Sequence, residues 1–188
     1  MLIQKSNPVG VDAAIKPIQE RLHTGLLALW GIQSSSFMCY PRCHRNKTDD
    51  GFTADWYVGS NEYTTAYWDD TKAAVSFFGI SDEFEIGEAN TAKVHLVMFV
   101  NMKKTKPSAT DRPDEEIRTE VLNLLDAGLA SSPVRSVELT LENALREYPG
   151  SIRDERLKYV DMNPVHCFRV NLELMYPNIN NCETISNI

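Results

Sequence analysis

The sequence predicts an α+β fold: a mainly antiparallel β-sheet packed against an N-terminal helix and one or two later helices. Three observations lead there. Ile15, Ile18, Leu22, Leu26, Leu29 and Trp30 recur at three- and four-residue spacing, which gives a helix one apolar face. From Ala92 to Met102, Val94, Leu96, Met98, Val100 and Met102 alternate with His95, Val97 and Phe99, the pattern of a strand covered on both faces. From Val165 to Tyr176, Phe168, Val170, Leu172, Leu174 and Tyr176 alternate with Cys167, Arg169, Asn171 and Glu173, the pattern of a half-buried strand with one wet or partner-facing side.

The first helix is expected from about Ala13 to Trp30, with Asp12 as its N-cap, Pro17 in or near its first turn and Gly31 ending it. Ser36 to Arg45 reads as a strand. Pro41 marks it as an edge strand or a strand end, because proline cannot donate to a ladder. Thr48 to Gly51 is a turn by composition, and Asp55–Val58 and Lys72–Ile80 are further strands. The aromatic, polar stretch Asn61–Asp70 has no clear period and reads as a loop or irregular hairpin. Lys103-Lys104-Thr105-Lys106-Pro107 is expected as a solvated basic loop. A helix from about Pro113 to Asp126 follows, capped by Asp111 and stopped at Gly128, with Ile117, Val121, Leu124 and Leu125 inward. Leu141 and Leu145 place a short helix from Val137 to Glu147, capped at Ser136. Residues 1–176 form one domain, and 177–188 a polar, Asn-rich tail that orders on contact.

A chain of 188 residues supports its own core without disulfides or metals. Four cysteines (Cys39, Cys43, Cys167, Cys182) are too few for a disulfide scaffold and read as free thiols in a reducing cytoplasm. No run approaches the roughly 18–20 apolar residues of a membrane span, and the N-terminus reads as a mature start, which makes the Asn46-Lys47-Thr48 sequon accidental. A net charge of −7 argues against sequence-independent nucleic-acid binding, though an acidic wall would let DNA slide past.

Reactive groups do not form a recognised pattern. Cys39 and Cys43, with His44 beside them, would share a strand face roughly 13 Å apart, too far for one zinc ion unless Pro41 turns the chain. His166 and Cys167 point to opposite faces of their strand. There is no nucleophile elbow, phosphate loop or zinc-protease helix signature. The carboxylates Asp69-Asp70, Asp82-Glu83, Glu85 and Glu88 read as a solvated acidic edge, with magnesium binding or acid–base work as the functional reading. No catalytic, metal or cofactor residue is therefore assigned.

Two groups are candidates for contact with other proteins. Arg42 and Arg45, with Lys47, make a small basic patch beside Tyr40. Trp56, Tyr57, Tyr63, Tyr67 and Trp68 make a dense aromatic group, which suits either an interface or ordinary core packing. Lys103 and Lys104 of the basic loop complete the candidate interface set.

The order of elements resembles the small tail-terminator and neck proteins of tailed bacteriophages. AKVHLVMFVNMKK followed by RPDEEIRTEVLNLLDAG is similar to their central strand and next helix, and DMNPVHCFRVNLELMY to their closing strand. The sequence also resembles virion proteins of phages of gut Bacteroidota, including the crAss-like group. The resemblance implies a non-enzymatic virion protein, made in the host bacterial cytoplasm, that forms a ring of six or twelve copies at the head–tail junction. Its partners would be portal, neck or tail proteins and the DNA passing through the channel, with no membrane. Extra residues around 46–90, relative to the smallest members, suggest a hairpin reaching a neighbouring subunit. Two other classes stay open: a small metal-assisted hydrolase or nuclease, and a host cytoplasmic binding domain.

Overall fold

The computed structural model describes residues 1–85, 89–127, 132–152 and 164–177 (for 82–84 and 89, the backbone alone). Gly128, Glu88, Cys182 and the tail beyond Pro177 lie outside the described residues, as do the side chains of Asp82 and Glu83. The fold is α+β, as expected.

Helix α1 (Val11–Trp30) buries Ile15, Ile18, Leu22, Leu26 and Trp30 and ends at Gly31, whose φ of 61° is left-handed. Two expectations at its start are corrected. The helix begins earlier than Ala13, and Gly10 (φ 59°) precedes it, so Asp12 lies inside the first turn and bonds side chains instead of capping. Pro17 lies within the helix and removes a backbone bond there, a loss outweighed by the buried face.

Strands β1 (Phe37–Thr48), β2 (Gly51–Gly59), β3 (Glu62–Thr65), β4 (Ala74–Glu85), β5 (Ala89–Asn101), β6 (Val134–Leu139) and β7 (Val165–Pro177) make one sheet in the order β3-β2-β1-β4-β5-β7-β6. Every neighbouring pair is antiparallel except β1–β4. The stretch read as a loop or irregular hairpin contains β3, which follows β2 through Ser60 and Asn61 at φ 52° and 62°. That is the backbone of a tight two-residue hairpin turn, hidden because Ser-Asn is not the usual Asn-Gly signal.

Pro41 is not on an outer strand. β1 pairs with β4 as far as Arg42↔Phe78 and with β2 from Cys43↔Trp56 onward. The register breaks between Cys39 and Arg42, and Pro41 sits in that break, where no ladder donor is needed. The break also inverts the alternation. Cys39 packs in the core on one face of the sheet and Cys43 in the core on the other, so the expected shared face is corrected.

The first core lies under α1 and α3 (Asp114–Asp126). It contains Phe37, Val94, Leu96, Met98, Phe168 and Val170. Arg21 of α1 donates from Nε to Leu124 O (2.7 Å), satisfying a carbonyl at the end of α3, and Trp30 Nε1 donates to Glu120 (2.7 Å). The N-cap position of α3 is Pro113, not Asp111. The expected basic loop instead begins with a single helical turn, α2 (Met102–Thr105), with Thr105 buried and Lys106 bonded to Glu116 and Glu120.

The second core holds Val75, Phe77, Val97, Phe99 and Cys167 beneath α4 (Leu141–Ala144) and α5 (Pro149–Ile152). The helix expected over Val137–Glu147 is therefore strand β6 followed by a short turn of helix capped by Thr140, not Ser136. Val137, Leu141 and Leu145 mimic a helical stripe by spacing, but Val137 packs on the first core and the two leucines on the second. The face of β7 expected to be wet is covered near its start: Cys167 and Arg169 are fully buried.

Gly79 fixes how closely the second layer approaches. A Cβ there would stand 2.2 Å from both His95 Nε2 and Tyr148 Oη. Gly79→Ala is expected to cost about 2–3 kcal/mol, read as a lower urea midpoint with unchanged m-value.

Candidate interaction surface and buried polar cluster

The candidate interface residues divide by burial. Tyr40 and Trp68 are core side chains of the second face, Tyr40 against Trp56 and Trp68 against Phe99. Burial raises the Tyr40 hydroxyl pKa to about 12, so it is a neutral donor. Trp56 is half-buried. Arg42 grips Asp12 with Nε and Nη2 at 2.7 and 2.9 Å, and Lys5 adds a third contact to that carboxylate. Burial pushes the Asp12 pKa up, but the two cations outweigh it and hold it below the ordinary value. Arg45 lies over the Phe52 ring at 4.3 Å. Lys104 Nζ donates to Asp70 O at 2.6 Å, and Lys103 is exposed.

Tyr63 and Tyr67 are solvent-facing, at 51% and 42% exposure, as is Tyr57 of the aromatic group, and the structure adds one residue that the sequence reading did not single out, Val58. The Tyr57 and Tyr63 rings stand 5.3 Å apart across β2 and β3, and Tyr63 meets His44 edge-on. Ala54 and Trp56 pack on the second core, so alternation turns Tyr57 to the other face. The hairpin therefore carries an aromatic face that the described residues leave exposed.

A second constellation went unnoticed in the sequence. Arg169, on the buried face of β7, places Nη1 and Nη2 at 2.9 Å from the two carboxylate oxygens of Glu147. Its Nε donates to Asn171 (2.7 Å), and Nη2 also reaches Ser81 Oγ (3.4 Å). Asn171 continues to Glu138, which pairs with Arg146 at 2.7 Å. His95 Nε2 lies 3.0 Å from Tyr148 Oη and 3.2 Å from Glu147 Oε2. Burial, then the charges of Arg169 and Arg146, hold the His95 pKa well below its usual value, so the ring is neutral and its contact with Glu147 is a hydrogen bond, not an ion pair. His95 Nδ1 is buried without a partner, so the tautomer with hydrogen on Nε2 leaves only an acceptor unserved. Burial likewise raises the Tyr148 hydroxyl. The signal in the sequence was a histidine and an arginine on two strands otherwise rich in apolar residues.

One side of the cluster is open: Ser81, Glu138, Arg146, Glu147 and Asn171 line a cleft of about 490 Å³. His95 and Arg169 are fully buried, and every charge in it has a countercharge. Cys39, Cys43 and Cys167 are buried and form no disulfide, and burial raises Cys39 to about 11, which disfavours its thiolate. Among the described residues, no three His, Cys, Asp or Glu side chains converge as metal ligands, and no helix is long and apolar enough to cross a membrane.

No protein-family model matches the chain, and no curated protein matches it in sequence.

Glu147→Ala leaves the Arg169 guanidinium buried without its carboxylate. The expected cost is about 3–5 kcal/mol, while Glu147→Leu combined with Arg169→Met recovers most of it. Double-mutant chemical denaturation checks both. All four histidines also have lowered pKa values, His166 to about 4 through burial and then the Arg118 charge. The unfolded chain then binds more protons below its histidine pKa near 6.5, so stability is full above that pH and falls as pH drops from about 6.5 toward 4. Urea midpoints across that range should decline, and less steeply in His166→Gln.

Proposed function

We propose that this protein is a virion structural subunit that assembles with copies of itself into a ring at the head–tail junction or tail of a phage, docking neighbouring tail proteins around the DNA path. The observation that carries the reading is the uncovered aromatic hairpin. Tyr57, Val58 and Tyr63 stand on paired strands at one end of the sheet. Rings of tyrosine give large contact area at low entropic cost, as protein interfaces require. The opposite end, at β6, carries a different surface: Arg135 paired with Glu173, and Arg146 with Glu138. Two unlike ends support heterologous contacts, the kind that closes into rings. The net charge of −7 suits a wall that DNA passes without sticking.

Light scattering tests this. The native chain, alone or mixed with a phage portal or tail protein, should give a discrete ring mass. Tyr63→Asp with Val58→Asp should reduce that mass to a monomer while circular dichroism stays unchanged. A chain that remains monomeric under all these conditions overturns the reading.

A further inference from the structure

A pocket of about 210 Å³ opens on the second face of the sheet, beside the hairpin. The rings of Tyr67, Trp68, Phe77 and Phe99 line it, with Ala66 and Gly150 as its small members. Those two residues keep it open. Ala66 projects little into it, and at Gly150 a Cβ would stand 3.0 Å from Phe52 O, so no side chain is accommodated there. The surrounding rings are held by their neighbours. Trp68 packs on Phe99 with centroids 5.9 Å apart, and Phe77 meets Tyr148 edge-on at 5.4 Å. Tyr67, 42% exposed, gives the pocket a side that reaches solvent.

Its size selects one aromatic ring. A dry cavity of about 150 Å³ takes benzene, and 210 Å³ leaves room for the hydroxyl and Cβ of a tyrosine. Thr65 and Ser151 add hydroxyl-bearing residues to the aromatic lining, a surrounding that suits a phenol. The chain displays such a ring. Tyr63 is 51% exposed, the most of any aromatic side chain among the described residues. Its neighbour Tyr57 is tethered, because Tyr57 Oη accepts from the Asn61 N–H at 3.2 Å. Tyr63 pairs with Tyr57 across β2 and β3, on the face opposite Ala54 and Trp56, whereas the pocket lies on the face of Ala54 and Trp56. A chain cannot turn Tyr63 through its own sheet into its own pocket. A second copy can supply it, and the contact then joins the first face of one hairpin to the second face of the next. Contact between two unlike faces is heterologous, the type that propagates around a ring.

We propose that Tyr63 of one copy inserts into this pocket of the next, and that this knob-in-hole contact is the joint between ring subunits. The inference rests on the ring reading and names the two surfaces that meet. Tyr63 stands on paired strands and its ring touches Tyr57 and His44, so little freedom is lost on insertion. A tyrosine buried in a well-packed pocket is the kind of contact that dominates an interface.

Light scattering on two single variants and on their mixture tests it. Tyr63→Ala removes the knob, and Ala66→Leu fills the hole. Each alone should need a roughly thirtyfold higher concentration than the native chain to assemble, with circular dichroism unchanged. Mixed in equal amounts, the two should form a one-to-one dimer that grows no further, because the one intact knob meets the one intact hole. If Ala66→Leu does not fold, p-cresol, the free tyrosine side chain, takes its place: at millimolar concentration it should shift the tryptophan fluorescence and lower the ring mass of the native chain. A native ring mass retained in either variant, a mixture whose mass matches its separate variants at every concentration, or native assembly unchanged by p-cresol overturns the proposal and leaves the ring reading standing. A native chain that is monomeric throughout overturns both.

Discussion

β5 buries both of its faces, and the rest of the architecture answers that constraint. Val94, Leu96, Met98 and Val100 point to one side, and His95, Val97 and Phe99 to the other. A strand of this kind needs a layer on each side of the sheet. α1 and α3 supply the first with long apolar stripes. The second layer has little to offer: α4 and α5 span four residues each and bury few large side chains. It reaches the sheet through Leu145 and Tyr148, and is tied down by the Glu147–Arg169 pair and the Tyr148–His95 contact.

That tie shows what buried charge contributes. Removing two charges from water costs several kcal/mol each, and their attraction in the interior only about offsets it. An apolar pair of similar volume would stabilise as well or better. The ion pair instead fixes position. A bidentate guanidinium–carboxylate contact tolerates little displacement, and the contact to Ser81 and the short approach over Gly79 leave the segment one seat on β4. The exclusion of a side chain at residue 79 and the placement of charge at 147 and 169 are two halves of one docking geometry.

How far the sequence disclosed this depends on the range of the interactions. α1, α3, β5 and β7 were legible because their burial is periodic within a single element. Three features were not, and each is settled by a partner distant in sequence. Val137, Leu141 and Leu145 imitate a helix because a strand to one core and a turn to the other happen to present leucines at helical spacing. The Arg169 face of β7 looks wet because the carboxylate that neutralises it arrives from residue 147. Cys39 and Cys43 look coplanar because the register break at Pro41 has no signature beyond the proline itself. Among the candidate interface residues, Tyr63 and Tyr67 reach solvent while Tyr40 and Trp68 do not. Aromatic density locates that cluster without saying which ring is inside.

The exposed hairpin follows from the widths of the elements. A helix with its side chains is about 10 Å across, and strands are spaced by about 4.8 Å, so α1 and α3 together cover about four strands. Those four are β1, β4, β5 and β7, the strands that carry the first core. The sheet nevertheless continues to β2 and β3, and among the described residues no helix covers Tyr57 and Tyr63, whose ring neighbour there is His44 at the edge of Tyr63. α5 does pack on β2 from the opposite side, where Gly51 and Gly150 allow backbone to approach backbone. β2 is thus backed by α5 at its Gly51 end, while Tyr57 and Tyr63 are exposed at its other end. A bare aromatic face on a flexible loop would collapse onto its own chain, whereas one on a braced strand pair keeps its shape in solvent. Exposed rings held on paired strands lower the ordering cost of a contact made there.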